Sequence, residues 1–171
     1  ECTAHHLVIM PDHVLYNAQM NTSNDTTGGY VAAKDRGILT SAISTVNTAF
    51  GSTNVLSHRE LLTNAMSNGY ASAGSWYDST LELPNEIMMY GTQVFTNICN
   101  GTGVPYSYTI DKTQLAGMRL CPKLINPHRE NQWLRDVVSA THFANVGLGG
   151  YANTANASVS LGVRPVFGIT G

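Results

Sequence analysis

The chain has 171 residues, of which 43% are hydrophobic but only 12% charged, with a formal net charge of −2. A domain of this length buries roughly two-thirds of its unfolded surface, so a core forms without disulfides or a structural metal. The near-neutral surface, with a pI near 6.3, excludes a nucleic-acid binder; no apolar run reaches the ~20 residues of a membrane helix, and the apolar content excludes disorder.

Glu1-Cys2 opens the chain without an initiator Met or a signal segment, as expected of a module from a longer protein. Leu7 to Met10 reads as a buried strand ended by Pro11, and Asn21 to Gly29 as a polar loop. Leu39, Ile43, Val46 and Phe50 recur at helical spacing and predict a first helix stopped by Gly51. Ser57-His58-Arg59-Glu60 has the form of a capping box, flanked by Leu56 and Leu61 as a hydrophobic staple. With Asn68-Gly69 as a C-terminal stop, these residues predict a second helix from His58 to Ser67.

Beyond Tyr70 the pattern changes. Trp76-Tyr77, Thr80-Leu81, Ile87 to Tyr90, Val94-Phe95 and Tyr106 to Ile110 predict short strands or turns, and Thr113 to Met118 a one-turn helix. Trp133 to Val138, Phe143 to Val146 and Gly162 to Ile169 read as strands joined by Gly- and Asn-rich turns. Helices early and short strands late predict one α+β domain over 1–171, two helices packed on short antiparallel strands.

Chemistry-bearing motifs are sparse. His5, His6, His13, His58, His128 and His142 show no metal-ligand spacing, and Cys2, Cys99 and Cys121 form no CxxC pair. No metal, no cofactor and no catalytic residue is therefore expected. Sequons at Asn21, Asn24, Asn100 and Asn156 follow from the Asn, Ser and Thr content. Asp78, Glu82 and Glu86 offer an acid/base pair; the structural alternative has Asp78 ordering a turn and Glu82 and Glu86 pairing with arginines. Gly147-Leu-Gly-Gly150 reads as a strand-connecting turn, since no helix follows it.

In the last third, Trp133, Phe143, Ala144, Val146, Ala157 and Phe167 read as packed framework, with Arg135 and Arg164 hydrogen-bonding inside a crowded core. Interleaved with them are Thr141, His142, Asn145, Leu148, Tyr151, Asn153, Thr154, Asn156, Val159 and Leu161, a mixture that meets no shared packing demand. Tyr, His, Asn and Leu carried on a fixed scaffold suit a binding surface, as in paratopes. An ordinary polar strand-and-loop face is the alternative.

The pattern WLRDVVSAxxFAxV…GxAxxxxASxSxGVRPxF resembles the C-terminal part of phage and prophage variable proteins of diversity-generating retroelements, which have a C-type-lectin fold. Pro11 to Met20, Thr27 to Tyr30, Leu56 to Ala65 and Trp76 to Thr80 resemble the same group, so the likeness spans nearly the whole chain. It implies a C-type-lectin-like fold with a variable region at 133–169 in which the interleaved positions are diversified ligand contacts. It further implies a non-enzymatic receptor-binding module of a phage structural protein, exposed on the virion. The expected partners are a bacterial host surface protein or glycan, other virion proteins and a second copy of the chain, with no nucleic acid and no membrane insertion. The same fold carries fixed-specificity calcium lectins and formylglycine-generating enzymes; Leu83-Pro84-Asn85 lacks the lectin carboxylate before proline, and Cys99 and Cys121 lie outside the matching motif. A structural capsid or tail decoration is a further alternative.

Overall fold

The computed structural model describes residues 5–95 and 114–170. Their fold is α+β, rich in strands, with few and short helices. Strand β1 (His6–Ile9) pairs antiparallel with β9 (Phe167–Thr170), from His6 opposite Thr170 to Ile9 opposite Phe167, bringing the two ends of the chain together. β1 is exposed rather than buried: Leu7 and Val8 are largely open to solvent, because this two-stranded ribbon lies at the periphery.

The central sheet has five strands in the order β2-β8-β5-β6-β7: β2 (Tyr16–Gln19), β5 (Gln132–Val137), β6 (His142–Val146), β7 (Ala152–Asn156) and β8 (Ser160–Val163). β5 meets β8 in parallel, and the other neighbours are antiparallel. The expected strand over Gly162 to Ile169 is thus broken, with Arg164-Pro165 carrying the chain from β8 to β9. β2 and β7, short and polar, give no apolar signal in the sequence.

The region expected as a second helix is instead strand β3 (His58–Ser67), paired with β4 (Tyr70–Ser79) in a long hairpin. Asn68 and Gly69 both have positive φ, 51° and 80°, as a two-residue type I′ hairpin turn requires. The Glu60 carboxylate turns inward to Arg135 and His58, leaving the capping box unmade. Trp76-Tyr77 lies within β4, while Val94-Phe95 is in bends. Ile87 to Tyr90 belongs to a short helix, α3 (Glu86–Tyr90), not to a strand. Asn85 caps it by accepting from the Met88 amide at 2.7 Å, and Gly91, left-handed at φ 78°, ends it. The expected strand at Tyr106 to Ile110 lies outside the described residues.

The first helix is two, α1 (Lys34–Ser41) and α2 (Ile43–Phe50), joined through Ala42. Leu39 is fully buried, and Ile43 and Val46 pack on the main core. α4 (Ala116–Leu120) and a 3-10 turn (Pro122–Ile125) precede β5. The central sheet is covered on both faces. One face carries Trp133, Phe143, Val137, Leu62 and Leu83; the other carries Leu134, Ala144, Val146, Met89 and Met118. β5 is therefore buried along almost its whole length, without the alternation of a one-sided strand.

Two buried ionic clusters tie helices and hairpin to this sheet. Glu82, fully buried, accepts from Tyr30 Oη and Ser79 Oγ, both at 2.7 Å, and pairs with Arg36 at 2.8 Å. Arg135 donates to Glu60, joining β5 to β3.

Candidate ligand-binding surface

The C-terminal meander places the interleaved residues in three environments. At the β5–β6 turn, Thr141 Oγ1 and Ser139 Oγ both approach His142 Nδ1, at 2.7 and 3.2 Å, which fixes the half-buried imidazole. In the β6–β7 connection Leu148 and Tyr151 are 53% and 58% exposed, prominent for apolar side chains of that size. The Tyr151 ring lies across Gly147 and Gly149; a Cβ on Gly147 would meet it at 2.6 Å, so a larger residue there would push the ring aside. Asn126 holds this loop from beneath, its Nδ2 donating to the carbonyls of Gly147 at 2.8 Å and Leu148 at 3.2 Å.

Strand β7 is the edge of the central sheet, and Asn153, Thr154 and Asn156 on it are half-buried. Their side chains, and that of Tyr151, make no hydrogen bond among the described residues. Register opposes Asn153 to Asn145, Thr154 to Ala144 and Asn156 to His142. Alternation therefore sends Asn153 to the Trp133 and Phe143 side of the sheet, and Thr154 and Asn156 to the His142 side. Val159 is exposed at the β7–β8 turn.

Asn145 and Leu161 do not belong to an exposed face. Asn145 is 2% exposed, because β6 is an interior strand and Asn145 sits between Trp133 of β5 and Asn153 of β7. Leu161 is 9% exposed and packs into the main core, opposite Ala18 of β2. The expected positions thus flank both faces of the β6–β7 edge and its turns. Asn145 Oδ1 has no hydrogen-bond partner among the described residues, an acceptor whose desolvation they leave uncompensated.

The carboxylates behave as structural groups, with two departures from expectation: Asp78 lies within β4 and orders no turn, and Glu86 serves backbone amides. Asp78 pairs with Arg59 across the hairpin at 2.8 Å, and Glu82 with Arg36. Glu86, however, accepts from the backbone amides of Val94 and Phe95 at 3.0 Å. Asp136 Oδ2 accepts from the Glu86 amide at 2.7 Å. Burial, and then the neighbouring Glu86 carboxylate, push the Asp136 carboxyl up to about 7. Cys121 is an exposed free thiol; Cys2 and Cys99 lie outside the described residues.

Sequence spacing missed one grouping. Asp12, His13 and His128 come together from loops far apart in the chain, and only the fold brings them within reach of each other. No helix among the described residues is long and apolar enough to cross a membrane. Comparison with protein-family models, with curated proteins and with solved structures finds no match to this chain.

Proposed function

We propose that this chain is the receptor-binding module of a phage or prophage structural protein, a variable protein of C-type-lectin-like fold carried on the virion surface. It binds a bacterial surface protein or glycan without catalysis. The observation that carries this reading is the contrast along the last third of the chain. Trp133 and Phe143 are wholly buried, whereas Tyr151, Asn153, Thr154 and Asn156 stand at one sheet edge with side-chain hydrogen-bonding capacity that the other described residues do not use. Such a surface changes its side chains without changing its core, which is what a diversified paratope needs. The pairing of the chain's two ends in β1 and β9 supports the lectin-like topology.

Within this reading Tyr151 is the anchor, a large rigid ring with a hydroxyl to orient a ligand. His142, Asn153, Thr154, Asn156, Thr141, Leu148 and Val159 extend the contact surface, buried Asn145 lies beside it opposite Asn153, and Leu161 belongs to the core of β8. The test is a variant with His142, Tyr151, Asn153, Thr154 and Asn156 replaced together by residues of similar strand preference. It should stay folded, melting within about 10 °C of the parent, since such changes usually cost within ~0.5 kcal/mol each, and lose binding to cells of the bacterium that hosts the phage. Undiminished cell binding by the folded variant would place the contacts elsewhere. In the flanking DNA, a near-copy of codons 133–169 differing only at adenines is the expected mark of diversification.

A further inference from the structure

Next to the β6–β7 loop, which Asn126 ties to the segment before β5, two loops are held together by groups that leave a cluster of ligand side chains at the surface. One is the loop between β1 and β2, the other the loop between the 3-10 turn and β5. The buried Arg164 guanidinium clamps both: its Nε donates to the Pro11 carbonyl at 2.6 Å and its Nη1 to the Ile125 carbonyl at 3.0 Å. A second tie runs from the Val14 amide to Glu130 Oε2 at 3.1 Å, while the Glu130 amide donates to Asn126 Oδ1 at 2.9 Å. Between His128 and Glu130, Arg129 takes a left-handed φ of 56°, a conformation of measurable cost for a residue with a side chain.

This backbone frame sets the His13 and His128 rings face to face, with centroids 3.4 Å apart and planes inclined by 18°. Asp12 Oδ2 lies 2.7 Å from His128 Nε2, and Glu130 Oε1 lies 3.5 Å from His13 Nδ1. One ligand atom from each of Asp12, His13 and His128 falls within 4.8 Å of the others.

We propose that Asp12, His13 and His128 form a binding site for a divalent transition-metal ion, with Glu130 as the carboxylate that orients His13. The donor set selects the class of ion. Two imidazoles and one carboxylate suit Zn²⁺ and its borderline-soft neighbours, whereas Ca²⁺ and Mg²⁺ take oxygen ligands. Metal–ligand bonds of about 2.0–2.2 Å require the donors to close by roughly an ångström and the two imidazoles to swing out of their parallel stack so that their in-plane lone pairs converge. The side chains are free to do so, since His13, His128 and Asp12 are 60%, 36% and 68% exposed.

Glu130 on Nδ1 leaves Nε2 of His13 for the ion, the carboxylate–histidine arrangement that fixes tautomer and ring direction at metal sites. An ion seated here takes the place of the 2.7 Å contact between Asp12 Oδ2 and His128 Nε2. The charged groups facing the site are Asp12, Glu130 and Arg164: two carboxylates against one guanidinium, a balance that favours a dication. Three protein ligands leave a coordination position open to water or to a partner's side chain. The bound ion latches the loop after β1 to the loop before β5.

The experiment is titration of the chain with Zn²⁺ near neutral pH, followed by calorimetry and by ¹⁵N NMR of the histidine rings. One ion per chain is expected, with Zn²⁺ moving the ring nitrogens of His13 and His128 and leaving those of His142 in place. His13→Gln and His128→Gln should each weaken binding at least about tenfold, and Glu130→Gln by about tenfold or more. His142→Gln should leave it unchanged. At a hundredfold excess over Kd the parent should melt about 5–10 °C higher, and the ligand variants should lose that gain while melting like the parent in chelator. Absence of saturable binding would overturn the site. So would binding that survives both histidine substitutions, or ring shifts confined to His5 and His6. The NMR measurement is made on the unaltered chain, so it decides the matter even if a variant fails to fold.

Discussion

Replacing Trp133 tests whether the last third is a rigid framework under a changeable surface. Trp133 has no exposed area; its Nε1 donates to the Ala18 carbonyl at 2.8 Å, and its ring meets Phe143 edge to face with centroids 6.4 Å apart. Removing an indole of about 200 Å² forfeits roughly 5 kcal/mol of burial at 25 cal/mol per Å², of which partial collapse of the cavity recovers some. The expected cost of Trp133→Ala is therefore about 3–5 kcal/mol. At about 2–4 °C per kcal/mol for a chain of this length, the melting temperature falls by about 6–20 °C. Trp133→Phe separates the two contributions. It keeps a ring beside Phe143 but orphans the Ala18 carbonyl, and should cost about 1–3 kcal/mol. Urea denaturation followed by circular dichroism measures both variants, with an unchanged slope confirming that stability alone has moved. A Trp133→Ala variant within about 1 kcal/mol of the parent would refute the assignment of Trp133 to the framework.

The hairpin turn gives a sharper test of β3, the segment expected as a helix and found as a strand. Gly69→Ala forces a side chain to φ 80° and should lower stability by about 1–2 kcal/mol in a thermal melt, whereas Asn68→Gly should change it little. Gly162→Ala should be worse than either, because a Cβ there would lie 2.3 Å from Val14 Cγ1 and 2.7 Å from the Asn131 carbonyl oxygen; near-parental stability would refute that packing. For Asp136, the native carboxyl holds its proton up to about 7, while the unfolded chain releases it near the ordinary value of 3.8. Between those limits the native state binds more protons than the unfolded state, so this group makes stability fall as pH rises. Asp136→Asn should flatten that decline and, above pH about 7, exceed the parent by about 1–3 kcal/mol; an unchanged pH profile in denaturant melts would contradict it.

Much of the strand framework was legible in the sequence because apolar runs and glycine turns are local signals. Trp133 to Val138 and Phe143 to Val146 match β5 and β6 to within a residue, and the apolar terminal segments lie in β1 and β9. Arg135 and Arg164 are indeed hydrogen-bonded in the interior. What sequence could not decide was anything set by a partner distant in the chain. Ser57-His58-Arg59-Glu60 is a sound local helix start, yet Glu60 is drawn inward by Arg135 and the segment is claimed by β4 as its strand partner. The Asn68-Gly69 pair serves equally as a helix stop or a hairpin turn, and only the pairing of β3 with β4 chose between them.

The same division runs through the candidate surface. Of the residues that composition set apart from the framework, Leu148, Tyr151 and Val159 are in the open, but Asn145 and Leu161 are buried. Composition carries no information on which strand is interior and which is edge. Asn145 and Asn153 are the same residue type, paired across neighbouring strands, but β6 is flanked on both sides and β7 on one, so the first is buried and the second half-open. Asp12 and His128, separated by 116 positions, meet for a similar reason. Local chemistry determined what each side chain was able to do; strand order and the Arg164 clamp decided which of them came to share a surface.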